Sequence, residues 1–285
     1  MQTLKQKIST LIEALPYIQK YHGKIVIIKY GGNAMVKQSL KKSVMTDIVL
    51  LKHVGLNPII VHGGGPEVNK AMNKKGIKPK FVKGLRVTDK KTINIVEKVF
   101  EEINKDICKL IKKSGGKALS VSGRDHKLIS VTQKSKELGY VGDIKKINPE
   151  IITSVIKENY IPVISPVGIS KDNEAYNINA DTAASALAIE LEAEKLTILT
   201  DVEGVYEKGK LISQLTIRKA KKKIKKGVIK KGMIPKVEAC IDAVRNGCNK
   251  AHLVNGIKKH SLLLEIFTDR GVGTEFVKNE KSLWF

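Results

Sequence analysis

The sequence is poor in residues that announce disulfide, metal or stacking chemistry. Its three cysteines, Cys108, Cys240 and Cys248, are scattered and form no C-x-x-C pair. That excludes a disulfide framework or thiolate zinc site and points to a reducing compartment. The six histidines show no metal-ligand spacing. No apolar run approaches the ~20 residues of a membrane-spanning helix. The opening stretch, "MQTLKQKISTLIEALPYIQKYHGK", lacks the apolar core and cleavage site of a secretory signal. A soluble protein is expected, in a bacterial cytoplasm or, for a plastid-encoded gene, the stroma.

Arginine is scarce too, at five residues against a net charge of +24 (52 − 28). The lysines are spread along the chain, and aromatics make up only 5%. The densest run, "RKAKKKIKKGVIKKG" at 218–232, has Ala220, Ile224, Val228 and Ile229 at helical spacing. It reads as a solvated helix face and then a turn. No stacking platform for single strands is interleaved with the lysines, so no nucleic-acid partner is expected. A basic nucleic-acid-binding protein remains the alternative from another class.

What is present is a strand and helix alternation. Apolar runs at 25–29, 58–61, 118–121, 161–164, 196–200 and 251–254 read as strands. Segments of helical period separate them, at 40–54, 66–75, 91–113, 149–158, 182–192 and 235–246. This pattern predicts βαβ units and a mainly parallel sheet covered on both faces. Stretches 127–141 and 202–212 read as hairpins, and the best seam lies near 190. At the N-terminus Leu4, Ile8, Leu11, Ile12, Leu15 and Ile18 share one helical face. That helix is expected either to pack on its own domain or to make an oligomer contact.

The informative residues lie in loops that follow strands, where ligands of such sheets bind. "IVIIKYGGNAMV" places Lys29 before Gly31-Gly32, a turn whose amides suit an anion. "VHGGGPEVN" repeats the arrangement with three glycines, Pro66 suiting a helix start. "GLRVTD" carries Arg86, whose fork suits a carboxylate unless it only pairs with Asp89. In "YNINADTAASALA", Asp181 is either a first-turn helix residue or a buried carboxylate that holds two lysines. "LTDVEGVYEKGKL" contains G-x-x-x-x-G-K, but Leu211 replaces the Ser or Thr that a P-loop needs. "KGMIPKVEAC" sets Lys236 in the first turns of a helix.

Singly these signals are weak, but their order resembles the amino acid kinase family, and within it the arginine-sensitive, hexameric branch that phosphorylates N-acetylglutamate. The match spans essentially the whole chain, and "GLRVTD" and "YNINADTAA" discriminate best. The resemblance implies an α/β fold, a three-layer αβα sandwich with a mainly parallel open sheet, preceded by an N-terminal helix. It implies an oligomerisation helix at 1–22, an N-acetylglutamate half at 23–190 and an ATP half at 191–285. The implied reaction moves the ATP γ-phosphoryl to the γ-carboxylate of N-acetyl-L-glutamate, with Mg²⁺ held by phosphates and no protein metal ligand.

Carried over by resemblance, Lys29 and Lys236 face the transferred phosphoryl group and Asp181 orients both. Gly64, Gly65, Arg86 and Asn177 hold N-acetylglutamate. Gly31, Gly32, Thr200, Asp201, Gly204, Tyr206 and Met233 contact ATP. Tyr17, Lys195, Glu265 and Gly271 are the implied contacts for inhibitory L-arginine, and a PII-type signalling protein is a further implied partner. The sequence departs from the family at Lys231, where a glycine is usual. Another carboxylate kinase of the family, or an inactive regulator, are the rival readings.

Overall fold

The computed structural model describes residues 4–35, 37–268 and 271–279, so the implied helix at 1–22 and the implied ATP half at 191–285 each have residues outside the described ones. The chain begins with helix α1 (Leu4–Tyr21) and strand β1 (Ile25–Tyr30), then a 3₁₀ turn (Gly32–Met35) and α2 (Gln38–His53). Next come β2 (Asn57–His62), α3 (Gly65–Lys74), a small hairpin of β3 (Phe81–Val82) and β4 (Leu85–Arg86), and α4 (Lys90–Lys113). Then follow β5 (Ala118–Ser122), β6 (Ile129–Gln133), β7 (Gly142–Ile147), α5 (Glu150–Lys157) and β8 (Ile161–Ser165). The pair β9 (Val167–Ile169) and β10 (Ala175–Asn177) leads into α6 (Ala180–Glu190). The last third holds β11 (Lys195–Thr200), β12 (Tyr206–Glu207), β13 (Lys210–Leu211), β14 (Gln214–Thr216) and α7 (Ile217–Lys225). It closes with α8 (Met233–Arg245), β15 (Lys250–Asn255), α9 (Ser261–Ile266) and β16 (Thr274–Val277).

Eight strands form one sheet in the order β14-β16-β15-β11-β1-β2-β8-β5, and a separate four-stranded sheet runs β10-β9-β6-β7. In the large sheet only the β15–β16 pair is antiparallel. Strand β1 is central, pairing with β2 on one side and β11 on the other, so the sheet is continuous across residue 190. The mainly parallel sheet with flanking helices predicted from the alternation is what forms, and the six expected strands and six separating helices end within about two residues of their expected bounds.

Strand periodicity assigns each residue a layer. Val26, Ile28 and Tyr30 of β1 join Ile60 of β2 in a core built with α2, α3 and α4. Ile27 of β1, with Ile59 and Val61 of β2, joins the opposite core with α5, α6 and α8. Lys29 therefore projects to the α6–α8 side and His62 to the α4 side.

One expectation needs correction, and one open alternative is narrowed. The first hairpin pairs β6 with β7, so its second strand begins beyond 141. Residues 134–141 instead form a connection laid along Thr88, with Thr88 N–H donating to Leu138 O at 2.9 Å and Tyr140 N–H to Thr88 O at 2.6 Å. The N-terminal helix does form, but its apolar face is not covered by the chain. Leu4, Ile8, Leu11, Ile12 and Leu15 are 49–78% exposed, and only Tyr17 and Tyr21 near its end join the core. The second hairpin, β12–β13, forms as expected, which removes the P-loop reading of 204–210. No described helix is long and apolar enough to cross a membrane.

Candidate active site

Lys29 is buried at the end of β1 on the α6–α8 face, with its ammonium 3.0 Å from Asp181 Oδ1. Asp181 sits one residue inside the start of α6. Asn179 caps that helix, accepting from the amides of Asp181 (2.9 Å) and Thr182 (3.1 Å). The helix N-terminus places partial positive charge beside the carboxylate. Lys236, in the first turn of α8, donates to Asp181 Oδ2 at 3.0 Å. Ser185 donates to Asp242 at 3.2 Å and ties the same two helices farther along. Small buried residues, Ala183, Ala184 and Ala188 against Ala239, Cys240 and Ala243, let α6 and α8 approach closely.

The electrostatics follow from this geometry. Burial alone would raise the Asp181 carboxyl, but Lys29 and Lys236 outweigh it and hold it below the usual carboxylate range. Burial pulls the Lys29 ammonium down, with Asp181 opposing and Lys236 assisting. One carboxylate thus keeps two ammonium groups close together with an excess of positive charge. Both halves of the alternative read for Asp181 hold: it is a first-turn residue and it binds two lysines.

The glycine turns that follow β1 and β2 abut. Gly63 N–H donates to Tyr30 O at 2.7 Å. A Cβ on Gly31 would stand 3.2 Å from Lys29 Nζ and 3.4 Å from Gly63 N. A Cβ on Gly64 would meet Ile103 Cδ1 at 2.6 Å and Phe100 Cε1 at 2.9 Å, so only glycine fits against α4 there. Pro66 occupies the first turn of α3, as expected.

Arg86 is buried on β4 and does not pair with Asp89, which instead caps α4 by accepting from Thr92 N–H at 2.7 Å. Its guanidinium donates to Gly65 O at 3.1 Å and Met72 Sδ at 3.2 Å, and lies 4.9 Å from the Phe81 ring centre. Among the described residues it has no carboxylate partner, so a buried cation with spare donors faces the second glycine turn. Thr88 Oγ1 donates to Arg86 O at 2.9 Å and accepts from Asn177 Nδ2 at 3.4 Å. Tyr140 and Tyr176 stand 5.5 Å apart beside that segment. Gly64, Gly65, Arg86 and Asn177 are thereby linked through backbone and Thr88. Phe81, Met72, Thr88, Tyr140 and His62 were not singled out from sequence, and the two-residue Lys83-Gly84 turn was the available signal for the β3–β4 hairpin.

On the strand next to β1, Thr200 ends β11 and its hydroxyl lies 3.3 Å from Asp201 Oδ1. Gly204 packs against Thr274, while Tyr206 stands half exposed on the β12–β13 hairpin. Met233 opens α8, preceded by Lys231 with φ +46°. The backbone there takes the left-handed form that glycine favours, and a lysine adopts it at some strain.

A separate cavity of about 350 Å³ is lined by Tyr17, Lys195, His252, Glu265, Gly271 and Glu275, among others. The four residues implied for arginine thus share one cavity between α1 and the β14–β16–β15 end of the large sheet. Lys195 reaches Glu265 at 3.3 Å and His252 pairs with the same carboxylate. Burial would raise Glu265, but His252 and Lys195 hold it at about 2.

Residues 24–255 match the model of the amino acid kinase family. An acetylglutamate kinase of Caldanaerobacter subterraneus subsp. tengcongensis is 54% identical over 275 residues, covering 94% of this chain and 92% of that protein. One from Desulforamulus reducens is 50% identical over 282 residues, covering 96% and 98%. In fold the chain is similar to N-acetylglutamate synthase from Neisseria gonorrhoeae, solved with coenzyme A and N-acetyl-glutamate, at a TM-score of 0.87 and 22% identity. It covers 98% of this chain but the chain spans only 65% of that protein. Carbamate kinase from Giardia lamblia, bound to AMP-PNP, gives a TM-score of 0.69 at 18% identity, covering 90% and 99%.

Proposed function

The chain belongs to the amino acid kinase family, and from that premise we propose that it is an acetylglutamate kinase, transferring the ATP γ-phosphoryl to the γ-carboxylate of N-acetyl-L-glutamate. The observation that carries this reading is the Lys29–Asp181–Lys236 cluster beside two abutting glycine turns. Identity of about half over nearly the full length with acetylglutamate kinases selects the acceptor.

The chemistry asks little of a base, because the nucleophile is an already ionised carboxylate. The barrier lies in aligning two polyanions and spreading charge over the equatorial phosphoryl oxygens. In this reading Lys29 and Lys236 take that charge, one from each half of the chain and both on the α6–α8 face of the sheet. Asp181 keeps both ammonium groups in place without cancelling them. The amides of Gly31, Gly32 and Gly64 add donors, and Arg86 takes the α-carboxylate with Asn177 beside it. ATP lies along Thr200, Asp201, Gly204, Tyr206 and Met233, and Mg²⁺ enters with it, held by phosphate oxygens and water. Residues 23–190 then form the acyl-amino-acid half and 191–285 the ATP half.

The cavity of Tyr17, Lys195, Glu265 and Gly271 is the proposed site for inhibitory L-arginine, Glu265 meeting its guanidinium. The uncovered apolar face of α1 supports an interlaced hexamer, and a PII-type partner belongs to the same reading. The test of function is a coupled ADP-release assay with N-acetylglutamate, aspartate, glutamate or a carrier-linked aminoadipate as acceptor. N-acetylglutamate is expected to give the highest kcat/KM; a preference for another acceptor would replace this reading with that of a sister carboxylate kinase.

A further inference from the structure

His62 is the last residue of β2, fully buried, on the face of the sheet away from Lys29. Its ring meets Phe100 of α4 edge-on, centroids 5.4 Å apart at 87°. Its Nδ1 lies 2.7 Å from Gly63 O. A carbonyl only accepts, so Nδ1 carries the proton and donates. Burial drives the ring pKa down to about 4, against the opposing contacts of Gly63 and Asn104, so the imidazole is neutral. Nε2 then has no proton, and it has no hydrogen-bond partner among the described residues.

The consequence lies in the peptides on either side. In a planar trans peptide the carbonyl and the following N–H point in opposite directions. Holding the Gly63 carbonyl therefore fixes the direction of the Gly64 N–H. Gly63 N–H in turn holds Tyr30 O at 2.7 Å, which fixes the Gly31 N–H by the same rule. Among the described residues neither the Gly31 nor the Gly64 amide donates a hydrogen bond, so both stay available to a ligand. Three glycines in succession have no Cβ to set these planes. The available contact at Gly63 is loose, with Gly31 Cα at 3.8 Å and Ala180 Cβ at 4.0 Å from where its Cβ would be. Something else must hold the turn.

We propose that His62 is a positioning residue for phosphoryl transfer, its Nδ1–H locking the Gly63 carbonyl and so aiming the Gly64 and Gly31 amides at the reacting groups. This rests on reading the two glycine turns as the surface that meets the phosphoryl group and the acceptor carboxylate. His62 touches neither substrate.

Three substitutions in the full-length protein separate this role from packing. His62→Phe keeps a ring against Phe100 and loses the donor. His62→Asn puts an amide N–H near the position of Nδ1, and His62→Gln puts one near Nε2. Initial rates with N-acetylglutamate and ATP are measured for each, with thermal melting as a check on folding. The phenylalanine and glutamine variants are expected to lose about 10²-fold in kcat, the scale of a misplaced reacting group, with KM for ATP within about 3-fold. Asparagine is expected to recover most of the rate. Asparagine no better than glutamine, or phenylalanine equal to wild type, overturns the proposal. If phenylalanine fails to fold, the asparagine-to-glutamine comparison decides. If no variant folds, the ring is a packing element and the proposal is wrong. A wild-type protein that does not phosphorylate N-acetylglutamate refutes the functional reading first, and this role falls with it.

Discussion

Lys236 Nζ lies 3.0 Å from Asp181 Oδ2, joining the first turn of α8 to the first turn of α6. The other oxygen of the same carboxylate stands 3.0 Å from Lys29. Breaking a buried pair on one side leaves the remaining charge uncompensated. Asp181→Asn is therefore expected to lower kcat by about 10²-fold or more and to weaken the α6–α8 junction by about 3 kcal/mol. Steady-state kinetics and urea unfolding on the same samples check both effects. A variant of normal kcat would remove Asp181 from the mechanism.

Arg86 is buried with its donors on Gly65 O and Met72 Sδ and no described acidic partner. Arg86→Lys keeps the charge and loses the planar fork. Loss of a charge-assisted hydrogen bond, about 1.5–3 kcal/mol, predicts KM for N-acetylglutamate higher by roughly 10- to 100-fold, with KM for ATP changed little. Equal effects on both substrates would contradict its assignment to the acyl side.

At Gly64 a methyl would press on Ile103 Cδ1 at 2.6 Å and Phe100 Cε1 at 2.9 Å. Gly64→Ala must displace the turn or α4, and strain of this kind destabilises by about 1–3 kcal/mol. The expected phenotype is a lowered melting temperature together with weaker N-acetylglutamate affinity. Combining it with Ile103→Val relieves the nearest clash and should restore part of both.

The His62 ring has a folded pKa of about 4 against an ordinary 6.5, through burial. Because the folded value is depressed, the unfolded chain binds the extra proton. Its stability contribution is therefore complete above pH 6.5 and is lost as pH falls toward 4, amounting to about 3 kcal/mol over that span. His252 is also depressed by burial and remains in both proteins, so it cancels in a difference. The gap in denaturation midpoint between wild type and His62→Phe is expected to shift in favour of the variant across this window. A constant gap would place the proton elsewhere.

L-arginine is expected to inhibit, and removal of residues 1–20, which takes Tyr17 from the cavity with Lys195 and Glu265, to abolish the inhibition. Rates with and without arginine for both proteins decide it. Unchanged inhibition in the truncated protein would move the effector elsewhere.

Much of the fold was legible because β1, β2 and β11 are continuous apolar runs bounded by glycine turns, and α4 has a clear helical stripe. Lys29 near the end of a strand, and Asp181 and Lys236 in the first turns of helices, were candidates by position, and the resemblance in motif order supplied their expected roles. Other features depend on which elements meet. Thr88, Tyr140 and Asn177 come together only through connection 134–141 and two three-residue strands, which leave little periodic signal. His62 stood beside the glycine run, yet its role needs the face of β2 and the neighbour across it. The stripe of α1 predicted the helix and left open whether its apolar face packs on its own domain; within the chain that face lies uncovered. Lys231 stands where the resemblance leads one to expect glycine, and the backbone there keeps a φ of +46° that glycine favours.

The central claim is transfer of phosphate to a carboxylate by the two-lysine cluster, and trapping the product with hydroxylamine tests it most directly. An acyl phosphate reacts with hydroxylamine to give a hydroxamate. The account predicts hydroxamate in step with ADP when wild type is given ATP and N-acetylglutamate, and formation slower by about 10²-fold in Lys236→Ala. ADP released without hydroxamate, or equal rates in the two proteins, would contradict it.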